Sequence, residues 1–348
     1  MNIIKRIFRD GLNGMTAGWF CTFVFGMILM QVGDLIGGNI GVLFGRAAAV
    51  LKVFAGAGIG AGIASKLGES VLISISAAAA GMIGAYGTEI LNGSLINGEG
   101  ILLEGPGQPL AAFAAAYVGI ELGRLLIGKT KLAVCLAPVV TILAGGAVGI
   151  FVSPYVEVLM GKLVEMIHWG AGQSPMIMGA VVSAAAGIGC TLPIDPIAFA
   201  SDLSLSGAAA GAAAIGCSAQ MIGFAAASFR ENGMEGFFAQ GIGTSMLQIP
   251  NIIRKPWIWI PTILSSAILG AVSAAIFGLT NNSLGAVMGT TGLYAPMCAL
   301  KTMGTGEGAV VLLTFFMYIA TPAVLAYLIA EGMRRIGIIK NGDMKLEI

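Results

Sequence analysis

The residues able to do chemistry concentrate in one stretch, "GIGCTLPIDPIAFASDLSLSGAAAG" at 187–211. Asp195 stands between Pro193 and Pro196, with Thr191 before it and Ser201 and Asp202 after it. Proline lacks a backbone donor and clashes with the preceding turn, so this pair predicts that a helix stops here. In apolar surroundings, the freed carbonyls and amides are tolerated only where protein buries them or they line a watery cavity. A carboxylate near the bilayer centre costs about 2.5–3.5 kcal/mol on insertion scales. A break and two carboxylates in one place therefore read as a polar site for a solute or a proton.

A second polar island is "AGIASKLGESVLI" (61–73), which carries Ser65, Lys66, Glu69 and Ser70. If Lys66 faced Asp195, the two would form a paired site needing no metal. The plainer alternative places Lys66 and Glu69 at the interface, where charges meet water. A third island, "LTNNSLGAVMGTTGLYAP" (279–296), is glycine-punctuated and too polar for a lipid-facing helix. As a re-entrant loop it would offer Asn281, Asn282, Thr290 and Thr291 to a hydroxylated ligand; the alternative is an ordinary external loop. Glu307, in "MGTGEGAVVLL", sits at the mouth of the last span, where a helix-start carboxylate suits the dipole. The candidate substrate-binding set is thus Ser65, Lys66, Glu69, Thr191, Asp195, Asp202, Asn281, Asn282 and Glu307. Glu121 and Arg124 lie one turn apart and read as an intrahelical ion pair.

Catalytic and metal chemistry find little support. There is no Ser/His/Asp set and no HExxH, and the five cysteines lie singly without CxxC spacing, so they read as small core residues. His168 is the sole histidine, on an amphipathic stretch, and reads as structural. Neither a catalytic residue nor a metal or cofactor is expected.

The elements that must position these residues are membrane helices. Only 10% of the 348 residues are charged against 57% hydrophobic, where a soluble domain carries about 25% charged. Mean hydropathy is +0.92. The net charge of +1 leaves no basic footprint for nucleic acid. The 53 glycines are about twice the usual share and suit close helix packing. Apolar runs long enough to span occur near 12–33, 69–87, 109–128, 132–152, 203–228, 257–279 and 308–331, with 35–53 and 175–192 as further candidates. The fold class expected is an all-α polytopic membrane protein with eight to ten spans plus broken or re-entrant pieces. Residues 1–12 read as an amphipathic N-terminal helix rather than a cleavable signal, and 155–169 as a helix lying in the interface. The loop at 88–109 carries Glu89, Glu99 and Glu104 without lysine or arginine, so it should be external. Both termini and the tail 332–348 should be cytoplasmic.

An internal duplication is also legible. "VFAGAGIG" (53–60) matches "VSAAAGIG" (182–189), and "SISAAAAG" (74–81) matches "SLSGAAAG" (204–211). "KLAVCLAPVVTILAGGAV" (131–148) likewise matches "KPWIWIPTILSSAILGAV" (255–272). The order is the same throughout, which gives repeat one at about 53–152 and repeat two at about 182–279, parallel or inverted. Each repeat has its polar break between the first two matched blocks. Paired breaks of this kind point to a transporter's binding site.

The opening "MNIIKRIFRDGLNGM", "FAGAGIGAGIA", "TLPIDPIAFASD" and "KPWIWIPTILSSAILGAV" together resemble phosphotransferase-system enzyme IIC-like membrane proteins, a group that includes a regulator of perfringolysin synthesis. The resemblance covers nearly the whole chain. It implies a multi-pass bacterial inner-membrane carrier, homodimeric and elevator-type, moving a sugar, polyol or sugar acid. In such systems separate IIA and IIB domains carry the phosphoryl group; here neither is fused and no phosphorylatable cysteine or histidine loop is seen, a departure that bears on sugar phosphorylation and not on transport. The chain departs from sugar-carrying relatives in having no histidine beside the expected site. Two other readings stay open: a membrane regulator acting through a partner, and an ion-coupled secondary transporter.

Overall fold

The computed structural model describes residues 5–98, 100–127, 132–304 and 308–347. Helix α1 (Arg6–Ile36) has 31 residues, about 46 Å at 1.5 Å per residue, so it outruns a hydrocarbon core of about 30 Å. Gly37 and Gly38, with φ of +67° and +59°, turn the chain in a conformation that costs glycine nothing. Helices α2 (Gly38–Val53) and α3 (Ala55–Lys66) follow, bent by 56° where they meet. Ser70 caps α4 (Val71–Ala85), its side chain accepting the Ile73 amide. The short α5 (Gly87–Asn92) leads to a two-stranded hairpin, β1 (Ile96–Asn97) with β2 (Gly100–Ile101), which pairs Ile96 with Ile101. Helix α6 (Pro109–Arg124) starts on a proline, whose missing N–H would be unpaired there anyway.

Helix α7 (Ala133–Ala171) is continuous over 39 residues, about 58 Å, despite Pro138 and Pro154 within it. The span at 132–152 and the amphipathic stretch at 155–169 are therefore one helix, and no separate interfacial helix forms. The remaining elements are α8 (Pro175–Thr191), α9 (Pro196–Leu203), α10 (Gly207–Ala227), α11 (Phe229–Phe238), α12 (Ile249–Arg254), α13 (Pro256–Phe277), α14 (Ser283–Met288), α15 (Tyr294–Met303) and α16 (Gly308–Arg335).

Among the described residues five helices are long and apolar enough to cross a membrane: α1, α7, α10, α13 and α16. The bent α2–α3 pair makes a sixth, and α4 and α8 are shorter apolar helices. This is an all-α polytopic membrane protein with broken helices.

Contacts divide the chain into two compact units. Unit one comprises residues up to Leu159 together with Pro193–Asp195; unit two comprises Met160–Leu192 and Pro196–Glu347. Small residues close each unit. In unit one α1 crosses α3 so tightly that a Cβ on Gly18 would lie 2.1 Å from the Gly58 carbonyl oxygen. In unit two α10 is the central helix, buried along nearly its whole length, and α8, α13 and α16 pack around it. There a Cβ on Gly216 would lie 1.9 Å from the Ser183 oxygen. Close backbone approach maximises van der Waals contact, which must replace the hydrophobic drive that lipid removes.

Candidate functional site

The proline-flanked break is realised. Helix α8 ends at Thr191, and Leu192 is extended, with φ −70° and ψ 150°. Asp195 is 5% exposed. Within unit one its backbone N–H donates to Gln108 Oε1 at 3.4 Å. Gln108 is itself buried and donates its own N–H to the Ala85 oxygen at 2.7 Å. Two features set that geometry. Gly107 has φ +67° and leaves no room for a Cβ, which would meet the Ala85 oxygen at 2.6 Å. Tyr86 Oη ties the same loop by donating to the Gly105 oxygen at 2.8 Å.

Asp195 and Glu89 both lie within electrostatic reach of Tyr86. Glu89, on α5, keeps Oε2 buried without a hydrogen-bond partner among the described residues. Burial raises its pKa above the ordinary carboxylate value, and the like charge of Glu157 adds to the rise. The site thus gathers two carboxylates, a carboxamide and a phenol. These are acceptors and donors for hydroxyl groups or a proton. They do not include a nucleophile with an adjacent base.

Unit two holds a buried polar network around Gln220 on α10. Its Oε1 accepts from Trp259 Nε1 at 2.9 Å, Thr262 Oγ1 at 2.8 Å and Thr191 Oγ1 at 3.4 Å. Its Nε2 donates to Ser266 Oγ at 3.4 Å. Thr191 also bonds Ser245 Oγ at 2.9 Å. Thr191 therefore locks the end of α8 to its neighbours within unit two.

Asn281 and Asn282 act locally as well. Asn281 Nδ2 donates to the Ala295 oxygen and to Tyr318 Oη, each at 3.0 Å, and Asn282 Oδ1 caps α14 by accepting from Gly285 N–H at 2.7 Å. The buried loop after α14 is glycine-rich, and Leu293 adopts φ +62°, a region non-glycine residues rarely occupy. Thr290 Oγ1 is buried there without a partner among the described residues, while Thr291 Oγ1 donates to the Gly243 oxygen at 3.0 Å.

The other candidates do not gather at Asp195. Ser65 and Lys66 are exposed at the end of α3. Glu69 accepts a hydrogen bond from Arg6 Nη2 at 2.6 Å, and Arg6 Nε reaches Glu121, 2.5 Å away, which in turn pairs with Arg124. Gln108 precedes α6 and Glu121 lies thirteen residues on, about 20 Å along the helix. Lys66 and Asp195 thus sit at opposite ends of unit one's helices, and the expected pair between them is not made. Asp202 is exposed on α9. Glu307, and with it Glu99, Lys129 and Lys131, lies outside the described residues. His168 Nε2 meets the Leu203 oxygen at 3.0 Å, a structural contact.

Gln108, Tyr86 and Gln220 escaped the sequence reading. Gln220 did leave a signal, as the one carboxamide in the small-residue run "GAAAGAAAIGCSAQMIGFAAA".

Long apolar helices, a bent helix pair and a buried polar break define a multi-pass membrane protein. The sequence profile of the phosphotransferase system EIIC family matches residues 10–346. The chain belongs to that family, the membrane-embedded permease component of a bacterial phosphotransferase system. A search of curated proteins finds no match.

Proposed function

We propose that this permease carries a sugar or a related small hydroxylated or acidic solute across the bacterial inner membrane by alternating access. In this reading it works as an elevator-type homodimer with separate IIA and IIB proteins on the cytoplasmic side. The observation that carries the assignment is Asp195. It is a buried carboxylate at a backbone break, with its amide on the carboxamide of Gln108. Carboxylate and carboxamide together offer the paired acceptors and donors that vicinal hydroxyls require. Binding to the folded state raises its melting temperature by mass action.

Purified protein should therefore gain thermal stability with one solute class from a panel of sugars, polyols, sugar acids and small carboxylates. Asp195→Asn and Gln108→Ala should each abolish the gain. A shift that survives both substitutions would remove the break from the binding site. The buried carboxylate equally supports proton coupling. In that second reading uptake collapses with a proton uncoupler and Asp195→Asn loses accumulation; uptake unchanged in both tests would dismiss it.

A further inference from the structure

After α16 the chain turns at residues 340–343, where the Lys340 amide donates to Asp343 Oδ2 at 2.8 Å, and then lays Met344–Leu346 across unit two. Four side chains read this segment through its backbone. The Met344 amide donates to Glu231 Oε2 at 2.8 Å. Its carbonyl accepts from Asn232 Nδ2 at 2.9 Å and from Gln248 Nε2 at 3.0 Å. Asn251 Nδ2 donates to the Lys345 oxygen at 3.0 Å, and Asn232 Oδ1 takes the Leu346 amide at 2.9 Å. One asparagine thus serves two adjacent peptide groups, donating to the Met344 carbonyl and accepting from the Leu346 amide, just after the turn that the Lys345 amide closes onto the Gly342 oxygen at 3.3 Å.

The readers are themselves held in place. Arg334 pairs with Glu231, whose side chain is 2% exposed, and Arg254 Nη2 donates to Asn251 Oδ1 at 2.5 Å. Gln248 Nε2 also reaches Gln240 Oε1 at 2.8 Å. One tail side chain is swallowed: Met344 is 0% exposed. Its neighbour Lys345 is exposed. The cleft therefore asks for the backbone groups of three successive residues and one unbranched apolar side chain, and makes little demand on the rest.

We propose that Glu231, Asn232, Gln248 and Asn251 form a peptide-binding cleft whose resident ligand is the chain's own C-terminal segment. The segment docks and releases without unfolding unit two. Docking has a structural consequence, because the connection bearing Gln248 also carries Ser245, bonded to Thr191 at the end of α8, and Gly243, bonded to Thr291 in the strained loop. The docked segment steadies this connection from one side while the helix break and the loop lean on it from the other.

Amide hydrogen exchange of the full-length protein in detergent tests the idea at Met344 and Leu346, the two amides that donate into the cleft. Both should exchange at least about tenfold more slowly than in a free peptide of residues 340–347, yet well above the rate of global opening reported by α10. Adding that peptide in excess should return the tail amides towards the free rate and leave α10 unchanged. Asn232→Ala should do the same without added peptide. Met344→Asp, which alters only the segment, serves as the control should Asn232→Ala misfold. Tail amides as slow as α10 and unmoved by the competitor would make the segment an integral part of the core. Tail amides as fast as the free peptide would mean it does not dock. Either result overturns the proposal.

Discussion

Glu89 shows how a single residue records the cost of its place. Burial, with the like charge of Glu157, lifts its pKa above the ordinary carboxylate value, so between the unfolded and folded values the folded state binds the proton more than the unfolded chain does. Stability contributed by that proton is full below the unfolded carboxylate pKa and is lost as pH rises through the higher folded value. The melting temperature should therefore fall as pH climbs from the acid side of the carboxylate range towards neutrality. Glu89→Gln should flatten that part of the profile, and an unchanged slope in the variant would assign the titration elsewhere. Gln220 makes the opposite case, a neutral side chain whose worth lies in the donors it satisfies. Gln220→Leu leaves Trp259 Nε1 without its acceptor, while Thr262 Oγ1 keeps the Trp259 oxygen at 3.0 Å. A donor stranded in this way costs about 1–3 kcal/mol, so thermal unfolding should show a loss of that size.

At the scale of the element, glycine content decides which helices can cross closely. Gly216→Ala would press a methyl group to within 1.9 Å of the Ser183 oxygen, forcing α8 and α10 apart at a cost of about 1–3 kcal/mol or more. Gly161 on α7 has nothing within 4 Å of its missing Cβ, and Gly161→Ala should instead stabilise the helix by about 0.5–1 kcal/mol. Melting temperatures of the two variants should move in opposite directions. Sequence alone cannot tell such glycines apart, since the difference lies in a neighbour from another helix.

The same limit governs the site. The break at Asp195 was legible because two prolines act on their own local backbone. Gln108, eighty-seven residues away, was not, because only tertiary packing brings it to the Asp195 amide. Glu69 was legible as a charge but not as the partner of Arg6, and that pairing is what draws it away from the site. The continuous α7 was hidden for a related reason. The amphipathic spacing of 155–169 sets it apart from the apolar run before it, yet both lie within one 39-residue helix that Pro154 does not end.

For the whole molecule, the open quantity is sidedness, and charge distribution argues for it. Residues 67–123 contain no lysine or arginine, and they include the β1–β2 hairpin and Glu89. Around the docked C-terminal segment, by contrast, unit two gathers Arg254, paired with Glu347, and Arg334, paired with Glu231, while Arg230 pairs with Glu331 on α16. Basic residues in short loops are retained on the cytoplasmic side, so the hairpin should face outward and the C-terminal segment the cytoplasm. Single cysteines placed in a version whose five native cysteines are replaced by alanine would read this directly. Ile101→Cys, at a position 70% exposed, should react in intact cells with a membrane-impermeant maleimide. Lys340→Cys should react only after the membrane is opened. Lys340→Cys labelled from outside would reverse the orientation and put the C-terminal segment on the outer face. The expected pattern places that cleft, and the connection it steadies, on the cytoplasmic face.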